Sequence, residues 1–127
     1  MLKLEKIHKD GRGEIYLIKG DLKEHEEITL FITKKGFARG GCIHKKNNEF
    51  CVVLEGTIKH VIKDNVKILQ KGESIKVPRN TPHYFVGAID SIVLEWGATP
   101  EEKKEKHKEF RKIVDEINKR KLSRKET

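Results

Sequence analysis

Short apolar runs separated by Gly, Asn, Asp and Lys set the rhythm of the chain. The stretches 13–19, 27–34, 49–55, 57–63, 66–70, 74–77, 83–86 and 91–96 are rich in Ile, Val, Leu and Phe, and turn-forming residues separate them. That pattern predicts short β-strands. Gly56 and Asp64-Asn65 are hairpin signals. Many short strands at regular spacing indicate an all-β fold, a small barrel or jelly roll. After Trp96 the period changes. Thr99-Pro100-Glu101-Glu102 has the form of a helix start, with Thr99 as N-cap, Pro100 at the first helical position and Glu102 completing a capping box. Phe110, Ile113, Val114 and Ile117 then fall at i, i+3, i+4 and i+7, one apolar stripe on an otherwise charged helix. The stripe is expected to pack on the barrel or on a partner subunit. The chain thus divides into a barrel over 1–98, a helix over 99–122 and a frayed tail over 123–127.

Composition narrows the function classes. A chain of 127 residues is expected to be one domain with a modest core. The formal net charge is +8, but the basic residues are spread along the chain and mixed with acids. A nucleic-acid surface would be clustered, Arg-rich and interleaved with aromatics, so the reading is no nucleic acid. No segment approaches the roughly 20 apolar residues of a membrane span, and the first ten residues hold no apolar signal-peptide region. Cys42 and Cys51 are the only cysteines, which argues against a disulfide scaffold and for a cytoplasmic location. A small anionic ligand suits the charge.

The chemistry concentrates between residues 36 and 56. Cys42 and His44 are two apart, so on a strand they face the same side. With a turn at Lys45-Lys46-Asn47-Asn48, Glu49 sits across a hairpin from them. His83 lies in a proline-containing turn after another strand. Cys42, His44, Glu49 and His83 make a mixed S/N/O set suited to a divalent transition metal: Zn, Fe, Mn or Ni. A thiolate at Cys42 would favour Zn(II) or Fe(II). Coordination positions left open for water or substrate are the catalytic pattern rather than the structural one. Cys51 is expected on the interior face as a small buried side chain. His8, His25, His60 and His107 read as solvated.

The spacing carries a resemblance. Gly36, five residues, Cys42-Ile43-His44, four residues, Glu49, six residues and Gly56 is similar to the first motif of the cupins, with Cys42 where the first histidine stands. Gly72, five residues, Pro78-Arg79-Asn80, two residues, His83, three residues and Gly87 resembles the second motif. Asn80 replaces a glycine there and also tolerates a left-handed turn. The resemblance covers about residues 10–97 and implies a cupin jelly-roll barrel. Within the cupins, Asp10-Gly11-Arg12-Gly13 looks like a signature of dTDP-4-dehydrorhamnose 3,5-epimerases. Arg39-Gly40-Gly41-Cys42-Ile43-His44-Lys45 looks like a stretch of the dTDP-sugar 3,4-ketoisomerases. That likeness implies a sugar or sugar-nucleotide isomerase or epimerase acting on a carbonyl-containing phosphorylated substrate. Arg12 and Arg39 become substrate-phosphate contacts, and His44 and Cys42 the acid/base pair. The ketoisomerases also use a tyrosine on the preceding strand, and 28–32 has none. An Fe-dependent dioxygenase and a non-catalytic sugar-binding cupin are the alternatives. Cupins of this size imply a homodimer.

Overall fold

The computed structural model describes residues 3–19, 28–97 and 105–125. Eleven strands and one helix follow in chain order: β1 Lys3–Asp10, β2 Gly13–Lys19, β3 Ile28–Thr33, β4 Ala38–Ile43, β5 Glu49–Glu55, β6 Thr57–Ile62, β7 Asn65–Gln70, β8 Ser74–Val77, β9 His83–Gly87, β10 Ser91–Trp96, β11 Glu105–Lys106 and α1 Lys108–Lys125. They form a six-stranded sheet in the order β1-β2-β3-β10-β5-β8 and a five-stranded sheet in the order β11-β4-β9-β6-β7. All pairings are antiparallel. This is the all-β jelly roll with a C-terminal helix that the apolar rhythm predicts.

Two cores result from the period-two alternation of the strands. Between the sheets lie Cys51, Val53, Ile58, Leu69, Phe85 and Val93, with Phe31 and Ile75 packed against them. The outer face of the five-stranded sheet presents Ala38, Val61 and Tyr84 to Val114, with Phe110 and Ile117 of the helix alongside. Adjacent residues on β9 therefore serve opposite sides: Tyr84 meets the helix, while Phe85 fills the barrel. The helical stripe is used on the chain's own barrel. Val114 is fully buried, and Ile113 stands at the stripe's exposed margin.

Three expectations change. β4 and β5 are not a hairpin, because β4 pairs with β9 and β11 while β5 pairs with β10 and β8. The Lys45–Asn48 connection passes between sheets, as jelly-roll topology requires. The charged N-terminal segment is a strand, β1, although every position is exposed. Pairing with β2 forms it, and neither face carries an apolar pattern. The expected helix start at Thr99–Glu102 lies outside the described residues. Residues 105–106 within the expected helix are strand, and the helix runs from Lys108 to Lys125, into the segment expected to fray.

The reason is the free edge of β4. An edge strand exposes unpaired amides and carbonyls that need partners. β11 pairs with Cys42 and Ile43, and the amide of His107 donates to the Gly41 carbonyl at 2.8 Å. Arg111 Nη1 donates to the Gly40 carbonyl at 3.0 Å. Asn118 then acts as a surrogate strand, accepting from the Ala38 amide at 2.7 Å and donating to the Ala38 carbonyl at 3.1 Å. His107 is not solvated as expected. Its Nδ1 accepts from the Phe110 amide at 3.3 Å, so it is the N-cap of α1, and its ring stands against Phe110.

Candidate metal and ligand site

The site opens at one end of the barrel, and a bulge in β4 shapes it. Gly40 pairs with Tyr84, but the next pair is Cys42 with His83, leaving Gly41 as the extra residue. Directly paired residues share a face. Arg39 pairs with Phe85 and Cys42 with His83, so the bulge turns Arg39 and Cys42 to the same interior side, three residues apart. Only glycine fits there. Gly41 has φ +91°, and a Cβ on it would meet the Arg111 backbone at 3.0 Å. A Cβ on Gly40, φ +109°, would meet the His83 carbonyl oxygen at 2.9 Å.

Three strands and the loop after β4 supply the ligand-type groups. Glu49 opens β5, Glu95 lies on β10, His83 opens β9, and His44 follows β4. All four are buried, at 5–9% exposure. His44 Nε2 and His83 Nε2 each lie 3.1 Å from the same oxygen, Glu49 Oε1. Ligand atoms of Glu49, His83 and Glu95 all lie within 4.8 Å of one another. Two ligands at about 2.1 Å from one ion, at octahedral to tetrahedral angles, stand about 3.0–3.4 Å apart, so the 3.1 Å spacings suit a metal. Two buried carboxylates this close repel, and a divalent cation relieves that repulsion. The residues present therefore fit a divalent metal ion.

The structure brings His44, Glu49 and His83 together as the spacing suggests. Cys42 and His44 line the same cavity, and neither is among the three residues, Glu49, His83 and Glu95, whose ligand atoms all lie within 4.8 Å of one another; His44 meets that group through Glu49 Oε1. Glu95 takes a place that sequence reasoning did not give it. Its only signal is the alternation along β10, which sends Ser91, Val93 and Glu95 inward and makes Glu95 an acid in an apolar register. With imidazole and carboxylate donors the set is N/O rather than S/N/O, which widens the choice toward Mn(II) and Fe(II).

The cavity measures about 200 Å³. Besides these ligands, Arg12, Arg39, Cys42 and Arg111 line it, against an apolar wall that includes Ile15, Phe31 and Phe85. Arg39 is 2% exposed. Its Nε donates to Thr33 Oγ1 at 3.3 Å, and among the described residues its Nη1 has no hydrogen-bond partner. Burial lowers its pKa to about 10, the nearby Arg12 guanidinium adds to this, and Asp10 opposes it. Arg12 is anchored by Asp10 at 2.7 Å. Burial alone would raise the Asp10 pKa, but hydrogen bonds from Arg12 and His8 outweigh that and hold it well below the usual carboxylate range. Arg12 and Arg111 also border an outer groove of about 440 Å³ that continues along α1. A larger groove of about 520 Å³ runs along the helix, lined by surface lysines and acids, and shares Arg111 with this cavity.

Two interior groups lie beside the site. Cys51 is buried as expected, and burial, with Glu95 and Glu49 nearby, pushes its thiol pKa up, so it stays protonated. His60 is fully buried rather than solvated. Its ring stacks on His83 with centroids 5.4 Å apart, and burial lowers its pKa to about 3, with His83 a smaller cause. The sequence misled because Lys59 and Val61 flank it, and the strand's facing became legible only from its pairing with Phe85.

Known proteins agree with this architecture. The family described as Cupin domain matches residues 29–99, more than half of the chain. Among curated proteins none matches. Solved structures with the same fold include the capsular polysaccharide assembling protein CapF of Staphylococcus aureus, with TM-score 0.67 and 18% identity over 81% of this chain and 32% of that one. KdgF from Halomonas sp. matches with TM-score 0.65 and 14% identity over 76% of this chain and 88% of that one. The Bacillus subtilis oxalate decarboxylase, which has Mn(II) centres, matches with TM-score 0.68 and 14% identity over 81% of this chain and 30% of that one. The chain thus spans about a third of CapF and of the decarboxylase and most of KdgF. No helix among the described residues is long and apolar enough to cross a membrane.

Proposed function

We propose, given that this chain belongs to the cupin family, that it is a metal-dependent enzyme acting on a carbonyl compound with an anionic group, and that the reaction is isomerisation or epimerisation of a sugar-type substrate. The observation that carries this reading is Arg39, a buried guanidinium whose Nη1 has no partner among the described residues, in the same cavity as the ligand set. A buried donor left unsatisfied costs about 1–3 kcal/mol, more when charged, and an oxyanion from the ligand removes that cost.

His44, Glu49, His83 and Glu95 would hold the metal, with Cys42 on the cavity wall. When bound, a divalent ion supplies Lewis acidity that polarises the substrate carbonyl. The chain's residues do the rest. Arg39 and Arg12 bind the anionic group and fix the ligand's orientation. Cys42 is the proton-carrying group of the wall, suited to taking a proton from the carbon beside the carbonyl and returning it to the neighbouring carbon or the other face, and His44 would share that role only in a site where Glu49, His83 and Glu95 alone hold the metal. Phe31, Phe85 and Ile15 exclude water. A cavity of about 200 Å³ corresponds to roughly seven water volumes, enough for the reacting end of a sugar. The phosphate would lie between Arg39 and Arg12, and a nucleotide beyond it would run outward along the groove bordered by Arg12 and Arg111. Both cysteines are free thiols, which suits a reducing cytoplasmic compartment.

The test is solvent exchange. Metal-loaded protein in D2O, given keto-sugar phosphates and keto-sugar nucleotides, is expected to place deuterium beside the carbonyl, read by NMR. Arg39→Met is expected to abolish exchange with metal content unchanged. Absence of exchange with every such compound refutes the isomerase reading. One observation favours a second reading: His44, His83 and Glu49 form a two-histidine, one-carboxylate set of the kind that holds Fe(II) in oxygenases. Substrate-dependent oxygen uptake by the iron-loaded protein would select it. Saturable binding with neither exchange nor oxygen uptake would make the chain a small-ligand-binding cupin.

A further inference from the structure

His60 sits where a polar side chain is costly. It pairs with Phe85 across β6 and β9, so it faces the barrel interior. It is 0% exposed, and neither ring nitrogen has a hydrogen-bond partner among the described residues. Buried polar groups are normally hydrogen-bonded, and one left without a partner lowers stability. An apolar side chain of similar size would remove that penalty. The ring also stands behind the cavity wall: His83 and Phe85 line the cavity, and His60 does not. A local rule broken at such a place points to an action through neighbours.

Those neighbours are flat rings. The His60 plane lies 20° from the His83 plane with centroids 5.4 Å apart, and 13° from the Phe85 plane with centroids 6.3 Å apart. His83 and Phe85 are two apart on β9 and face the same side. His60 stands opposite Phe85, and so diagonal to His83. Phe85 is itself held. It is 1% exposed, and Phe31 meets it edge-on at 82° with centroids 5.8 Å apart. A close-packed interior leaves such rings little room to turn, so His60 is a rigid plate beside His83.

A ligand histidine needs its plane fixed as well as its position. Rotation about the bond to the ring is soft, with broad minima, so packing must choose the angle. The nitrogen lone pair lies in the ring plane, and a tilted ring directs it away from the ion. Groups that orient a ligand histidine typically contribute about 10–100-fold in metal affinity. We infer, on the reading that His83 is a metal ligand, that His60 is a positioning residue: its ring is the plate that fixes the plane of His83 and so sets the affinity and geometry of the metal site. Its flatness does this, and its nitrogens do not. Stability and metal binding are therefore separable at this one residue.

The test compares His60→Leu, which removes the plate, with His60→Phe, which keeps it. Zn(II) and Co(II) are titrated into metal-free wild type and variants against a chromophoric chelator at about pH 8, where histidines are neutral in the folded and unfolded chain. Thermal melting of the same metal-free samples reads stability, and the visible bands of the Co(II) form read ligand geometry. His60→Leu is expected to melt no lower than wild type, yet to bind both ions about tenfold or more weakly, with shifted Co(II) bands. His60→Phe is expected to restore the bands and bring affinity to within about threefold of wild type. Leu69→Ala cuts the same core on β7, which β6 separates from β9, and is expected to lower melting without moving affinity. His60→Leu with affinity within about twofold of wild type and unchanged bands overturns the positioning role alone. So does an equal loss of affinity in folded His60→Leu and His60→Phe, or loss of cooperative melting in both. A wild type that takes up neither ion refutes the metal-site reading, and the inference with it.

Discussion

Replacing Asn118 with alanine tests the claim that a helix side chain completes the barrel edge. Asn118 is 9% exposed, and its amide makes both hydrogen bonds that a neighbouring strand would make to Ala38. Alanine removes both and leaves the Ala38 amide and carbonyl buried beneath α1 without partners. Ala38 itself is 0% exposed, so water has little access to either group. Two net hydrogen bonds contribute about 1–3 kcal/mol, and one buried, unsatisfied amide adds about 1–3 kcal/mol. A loss of roughly 3 kcal/mol lowers Tm by roughly 10–20 °C in a domain of this size. Asn118→Asp separates the two bonds. The carboxylate still accepts from the amide but opposes the carbonyl, so the variant is expected to be destabilised at neutral pH and to recover partly below about pH 4, where a protonated carboxyl can donate. Urea and thermal unfolding followed by circular dichroism measure both variants. A loss below about 0.5 kcal/mol for Asn118→Ala would show that α1 is held by its apolar stripe alone and that the edge argument is wrong.

Three further outcomes follow from the site. Glu95→Gln and His83→Ala are expected to lower bound metal sharply in elemental analysis while Cys42→Ala retains most of it; the reverse order would return Cys42 to the ligand set. Gly41→Ala is expected to cost more than 1 kcal/mol, because φ is +91° and the new methyl meets the Arg111 backbone at 3.0 Å, and unfolding by denaturant reads this directly. His60, with its pKa lowered to about 3 by burial, makes the metal-free protein lose stability as pH falls below the ordinary histidine value of 6.5. The sign follows because the unfolded chain takes up a proton that the folded chain refuses, at up to ~1.4 kcal/mol per pH unit. His60→Phe keeps the stacking and is expected to flatten that slope; equal slopes between about pH 6 and pH 4 would refute it.

The strands were legible because alternation is a local property. Runs such as Glu49–Glu55 and Ser91–Trp96 carry their own boundaries, and the two spacings, Gly36 to Gly56 with His44 and Glu49 and Gly72 to Gly87 with His83, were enough to group His44, Glu49 and His83. Asn80 behaves as its type allows, with φ 60° in the turn before β9. Pairing was not legible. A strand reveals that it has two faces, but not which neighbour it meets or which face looks inward, because a shift of one residue exchanges them. Hence β1 has no apolar pattern that marks it as a strand, His60 between Lys59 and Val61 reads as solvent-facing, and Glu95 has no motif to single it out. The sequence by itself determined an all-β barrel, an amphipathic helix and the grouping of His44, Glu49 and His83, since those follow from period and spacing along one chain. Only the tertiary structure decided that a bulge turns Arg39 and Cys42 to the same side, that Glu95 joins Glu49 and His83, and that α1 begins at Lys108 after residues 105–107 are drawn onto the free edge of β4. Each depends on hydrogen bonds and burial between segments far apart in the chain, and those energies outweigh local propensity.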